Sequence, residues 1–235
     1  MGSLRRTIGF TVALVLLASC ADAGKPKVKP APPPPPLPPR PVVVYIPPRP
    51  TPPLGAAPTA TIPTINAAGV RQTVNAGISA NQTVWNFRSA FNVAALNCLK
   101  PEHAEILVGY KLFLKTHRLG LARVNTAVNS EFRKRHGASY VRPREAYMTK
   151  VYNFYAFPPT LNNFCDAALA VAIESKTIKA AGLTAFATRS LTALDKVFYS
   201  FYLSFEQYRA DAAAWDAKYA PKPAVPAAAA AAPGV

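Results

Sequence analysis

Between about residues 66 and 218 apolar side chains return every three or four positions, and the strict alternation of a half-buried strand is nearly absent. The pattern predicts an all-α helical bundle of about five helices, two of them long. From Asn81, a good N-cap residue, Val84, Phe87, Phe91, Ala94, Ala95 and Cys98 share one helix face. A weaker helix is expected just before, around 66–78. Lys100-Pro101-Glu102 is a start signal, with proline in the first turn and an acid at the positive end of the helix dipole. The periodicity then continues to His136, where Gly137 is a natural stop. Unbroken, this second helix would be about 54 Å long; Gly109 and Gly120 are the positions at which it could bend or divide.

Pro143 opens a third helix, which ends before Pro158-Pro159. A fourth runs from Thr160 to Lys176 with Leu161, Phe164, Cys165, Leu169, Ala172 and Ile173. The last spans roughly 184–218. Its stripe is Leu191, Leu194, Phe198, Phe201, Phe205 and Tyr208, thickened by Tyr199 and Tyr202, and an aromatic stripe at this spacing reads as core.

The flanks are of different composition. Of the 25 prolines, 17 lie between Pro26 and Pro63, and such a segment favours extended polyproline II over a packed core. The last residues, PKPAVPAAAAAAPGV, are a second low-complexity stretch. The expected organisation is a leader over 1–19, a disordered spacer over 20–63, a helical domain over 64–220 and a tail over 221–235. The spacer holds PPLPPRP, which is similar to proline-rich docking peptides, and VVVYI, which could add to a sheet edge; either would engage other envelope proteins.

The leader carries Arg5 and Arg6, an apolar run from Ile8 to Leu17, and small residues after it. That is the layout of a secretory signal, and the run is too short for a spanning helix, which needs about 20 residues. Leu17-Ala18-Ser19-Cys20 resembles the lipobox of bacterial lipoproteins. The resemblance implies cleavage before Cys20 and acylation of its thiol and new amine, which anchors the chain to a membrane by more than one acyl chain. Arg6 stands where a myristoylation signal wants Ser or Thr. Sorting rules of the same family place an inner-membrane signal directly after the cysteine; Ala21 stands there, so the outer membrane is favoured, with display to the periplasm or the cell surface.

Export also bears on the other two cysteines. Cys98 and Cys165 are an even pair in an oxidising compartment, which predicts a disulfide between the first and fourth predicted helices; the alternative is two buried free thiols.

With 27 lysines and arginines against 11 acids the net charge is +16. The cations concentrate in residues 116–145. On one continuous helix, Lys111, Lys115, Arg118, Asn125, Asn129, Arg133 and His136 fall within about 40° of one line. Tyr110, Leu114, Leu121, Val124, Val128 and Phe132 lie on the neighbouring face. Guanidinium groups interspersed with amides suit an anionic partner that also offers sugar hydroxyls, such as peptidoglycan or an anionic glycan; the other reading is a solvated helix face. Nucleic acid suits the charge but not the address, so none is expected.

Catalytic signatures are sparse. The chain has no Gly-rich phosphate loop, CxxC or HExxH, and His103, His117 and His136 lack a metal-ligand spacing, so no metal or cofactor is expected. Glu174-Ser175 followed by Ala181-Gly182-Leu183 is faintly similar to the catalytic region of lytic transglycosylases, without its Met-Gln. That resemblance would make Glu174 a general acid and base. The expected function is therefore a lipid-anchored envelope protein that binds without catalysis. The alternatives are a peptidoglycan-cleaving enzyme using Glu174 and a structural subunit of an envelope or secretion assembly.

Overall fold

Ser79 sets the start of the first helix. Its hydroxyl accepts from the Gln82 N–H at 3.0 Å, and the Gln82 side chain accepts from the Ser79 N–H at 3.1 Å. This reciprocal capping box satisfies two orphan donors at once. It takes the N-cap two residues earlier than Asn81, which lies inside the first turn and donates to Glu131 instead. The structure, a computed structural model, describes residues 44–221. The leader 1–19, Cys20, the spacer up to residue 43 and residues 222–235 lie outside the described residues.

Six α-helices follow one another: α1 (Ala80–Asn97), α2 (Ala104–Thr116), α3 (Arg118–His136), α4 (Val141–Tyr155), α5 (Leu161–Ser175) and α6 (Leu183–Tyr219). Among the described residues there is no β-strand, only an isolated bridge between Ile65 and Arg71. The fold is the all-α bundle that the periodicity predicts. Helix α1 is its axis and packs against each of the other five. It is buried nearly all round, with Val84, Phe87, Ala90, Phe91 and Ala94 inaccessible and Trp85 mostly buried, as a central helix must be. Phe87 meets Phe113 of α2 and Phe186 of α6 edge-on, at centroid distances of 5.4 and 5.2 Å. On α6 the whole predicted stripe is buried, together with Tyr202, whereas Tyr199 is exposed.

The long second helix is not continuous. It breaks at His117, whose backbone (φ −102°, ψ 10°) leaves helical geometry between α2 and α3. Neither glycine is the hinge. A Cβ on Gly109 would stand 2.7 Å from the Ala172 carbonyl oxygen of α5, and one on Gly120 would stand 2.7 Å from Leu183 Cδ2. The glycines permit close helix approach, and the elbow between them lets α2 lie along α5 while α3 crosses α1. Pro143 sits in the first turn of α4, which begins at Val141, where its missing N–H leaves no bond unmade.

Two expectations near the N-terminus are corrected. Residues 66–78 are not helical: the Asn66 side chain accepts from the N–H groups of Ala68 and Val70, and Gly69 and Gly77 have positive φ. Both features make turns. Residues 46–63 are not spacer. They run antiparallel to α6 as an irregular strap. Trp215 donates to the Pro47 carbonyl at 2.7 Å, Arg49 pairs with Asp216 through two bonds of 2.8 and 2.7 Å, and Arg209 donates to the Ala60 carbonyl. The Arg49 guanidinium holds the Asp216 carboxyl below its usual range. Ala56 and Ile62 are buried. Proline-rich composition reports a lack of helix propensity; it does not exclude packing of an extended chain on a helix.

Cys98, capping the end of α1, and Cys165 of α5 are placed as a disulfide, with Cα atoms 5.5 Å apart.

Candidate functional site

The His117 elbow builds the site. As α2 ends and α3 turns away, their facing sides and the flank of α1 enclose a groove of about 610 Å³. Trp85, Leu114, Leu121 and Val124 form its floor, and Arg88, Lys115, Arg118 and Asn125 stand around it. No acidic residue lines it. Arg88, Lys115 and Arg118 enter no ion pair among the described residues. Arg144 of α4 donates to Asn125 Oδ1 at 3.0 Å and itself pairs with Glu145. Volume and lining fall in the range of small-molecule sites, about 300–1,000 Å³ with a mainly apolar wall and a few placed polar groups.

His117 is the residue behind the groove. It is 1% exposed and its ring lies 4.9 Å from that of Phe113. Burial pushes its pKa down, against a weaker opposing pull from the Ala180 backbone. A neutral imidazole therefore holds the elbow that carries Lys115 and Arg118 on either side of it.

The predicted basic strip is divided by the elbow. Lys115, Arg118 and Asn125 come together in the groove. Lys111 lies on the exposed side of α2, outside it. Asn129 is half-buried, with an Oδ1 that has no partner among the described residues. Arg133 lies over the Tyr140 ring at 4.8 Å and His136 stacks on Phe132, both near the far end of α3. A single line of cations requires one continuous helix, and the change of direction at His117 removes that premise. Trp85 and Arg88 come from α1 and were not legible as site residues from a strip on another helix. One signal was available: Arg88 is the lone charged residue in α1.

A second polar constellation is part-buried and is built around the inaccessible side chains of Asn86 and Tyr155. Asn75, in the turns before α1, donates to Asp195 of α6 at 2.9 Å and to the Tyr155 hydroxyl of α4 at 2.7 Å. Tyr155 donates to Asp195 at 2.9 Å, Asn86 of α1 donates to Asn75 Oδ1 at 2.7 Å, and Tyr147 donates to Asn86 at 2.8 Å. Burial raises the Asp195 carboxyl to about 6, opposed by the bonds from Tyr155 and Asn75. Burial, and then the charge of Asp195, push Tyr155 well above its ordinary value. Neither Asp195 nor Tyr155 lines the groove. Their bonds join the turns before α1 to α1, α4 and α6, and the arrangement acts as a polar lock on the core.

Glu174 lies in the last turn of α5, exposed, and accepts from Arg189 Nε at 2.9 Å. His103 is buried and pairs with Asp166 at 2.8 Å, beside the cysteine bridge. Among the described residues no three His, Cys, Asp or Glu side chains gather as a metal-holding group, and no helix is long and apolar enough to cross a membrane. No known protein family, no curated protein and no solved structure matches this chain.

Proposed function

We propose that this chain is a lipid-anchored, non-catalytic protein of the bacterial cell envelope that binds an anionic envelope component in the elbow groove. Peptidoglycan and other anionic glycans are the components its sequence suits. The leader ending in Leu17-Ala18-Ser19-Cys20 supports the address, with acyl chains on Cys20 as the anchor and the outer membrane as the favoured location. The observation that carries the binding role is the cation cluster: Arg88, Lys115 and Arg118 from three helices ring one concavity that no acid lines. Cations left unpaired over a partly apolar wall attract anions more strongly than the same charges in free solution.

The test is cosedimentation of the full chain with isolated peptidoglycan sacculi at low and high salt. Pelleting that weakens with salt and is lost in an Arg88→Gln/Arg118→Gln double variant is the expected result. Pelleting that ignores both salt and the double substitution would place binding elsewhere. The anchor is tested separately: Cys20→Ser is expected to abolish acyl labelling and release the chain from membranes.

A further inference from the structure

The polar groups at the groove are almost all donors. Arg88 and Arg118 are guanidinium groups and Lys115 is an ammonium, none of which can accept a hydrogen bond. Asn125 is the one lining side chain with a strong acceptor, and that oxygen already receives Arg144 at 3.0 Å. A sugar hydroxyl both donates and accepts, so a polyol in this groove would leave its own donors unmatched. A phosphate or carboxylate only accepts, and matches the rim. The floor asks for something different again. Leu114, Leu121 and Val124 are half-buried aliphatic side chains around Trp85, which is 5% exposed. They offer a strip of hydrocarbon to a hydrocarbon, and too little of the indole face for a sugar to stack on.

We infer that the groove takes an anionic amphiphile: one alkyl chain along Trp85, Leu114, Leu121 and Val124, and a phosphate head held by Arg88, Lys115 and Arg118. This rests on the groove being the ligand site, and it specifies the anionic envelope component as an acyl-bearing phosphate in place of a glycan. Charge complementarity decides the head and the apolar floor decides the tail. Neither part alone explains why the two features share one concavity.

The experiment uses the full chain carrying Cys20→Ser, so that no acyl group of its own competes. Trp85 and Trp215 are its two tryptophans; Trp215 lies on α6 with its N–H on Pro47, so Trp215→Phe leaves Trp85 as the reporter. Its emission is titrated with dodecyl phosphate below the micelle concentration, with dodecyl maltoside, and with inorganic phosphate. The inference expects a saturable response to one equivalent of dodecyl phosphate. It also expects at least tenfold weaker binding of dodecyl maltoside and no response to inorganic phosphate in the same range. Arg88→Gln/Arg118→Gln should weaken dodecyl phosphate at least tenfold. Lys115→Gln, at an exposed position, should weaken it several-fold and serves if the double variant folds poorly. Equal binding of the maltoside, equal binding of free phosphate, or no saturation overturns the inference. Sacculus pelleting separates the two readings. If pelleting still depends on Arg88 and Arg118 while dodecyl phosphate neither binds nor competes, the groove remains a wall-binding site and the amphiphile is wrong. If neither binds, both fall.

Discussion

Asp195 stands within the apolar stripe of α6, between Leu194 and Phe198, and its cost and its use are both visible in how it titrates. Its folded-state pKa of about 6 lies above the unfolded value of 3.8. The native state therefore holds this proton more tightly than the unfolded chain. The contribution is complete below the unfolded value and is lost as pH rises through about 6. A difference of this size is worth at most about 3 kcal/mol. His117 has the opposite sign. Its folded pKa is lowered, so its contribution is complete above the ordinary 6.5 and is lost as pH falls toward the folded value. Denaturant midpoints measured between about pH 4 and pH 7 should resolve both. The stability difference between Asp195→Asn and the native chain should shift toward the variant by up to about 3 kcal/mol on going to neutral pH. The difference for His117→Gln should shift toward the variant on going to acid. A pH-independent difference at either position would show that the burial argument fails there.

At the scale of elements, the two glycines in the second predicted helix do different work from the one a hydropathy pattern assigns them. Gly109 faces the Ala172 backbone, which cannot rotate away, whereas Gly120 faces the end of a leucine side chain, which can. Gly109→Ala should therefore destabilise the fold by about 1–3 kcal/mol through overpacking, despite alanine's better helix propensity of about 1 kcal/mol. Gly120→Ala should cost clearly less. Equal effects by chemical denaturation would remove the distinction. The strap is the other element that sequence patterning cannot see. Arg71 is 5% exposed, donates to the Pro63 carbonyl at 2.8 Å and to both Glu206 oxygens at 2.9 and 3.0 Å, and lies 5.3 Å over the Tyr202 ring. Charge-assisted bonds of this kind contribute about 1.5–3 kcal/mol. Arg71→Ala should lower stability by that order and expose residues 46–75 to limited proteolysis before the helices are cut. Cleavage of the helices at the same rate would mean that the strap does not open separately.

For the whole molecule, the bridge from Cys98 to Cys165 closes a loop with a sequence separation of 67. In the chain-entropy account that is worth about 4 kcal/mol, acting on the unfolded chain. Reduction should lower the denaturant midpoint accordingly, with helical circular dichroism retained in the absence of denaturant. An unchanged midpoint would mean that the unfolded chain is already confined by other means. The groove draws on Trp85 and Arg88 of α1, more than two helical turns before this bridge, so the ligand binding proposed for it should survive reduction under conditions where the bundle stays folded.

Helix class, the α6 stripe and the cysteine pairing were legible because each is a local or countable property. A period of 3.6 needs only neighbours in sequence, and two cysteines within the helical body have one way to pair with each other. The position of the elbow was not legible. His117 has no breaker chemistry, and it turns the chain because α2 must follow α5 while α3 crosses α1. The basic strip is divided between α2 and α3 for the same reason, since a helical wheel extends a line that the tertiary structure bends. The sequence alone determined that cations would be plentiful and that the body would be helical. Only the tertiary structure decided which cations meet. Arg88 lines one groove with Lys115 and Arg118 because α1 is the packing axis of the bundle, and a contact between helices depends on burial across the core, which no linear spacing encodes.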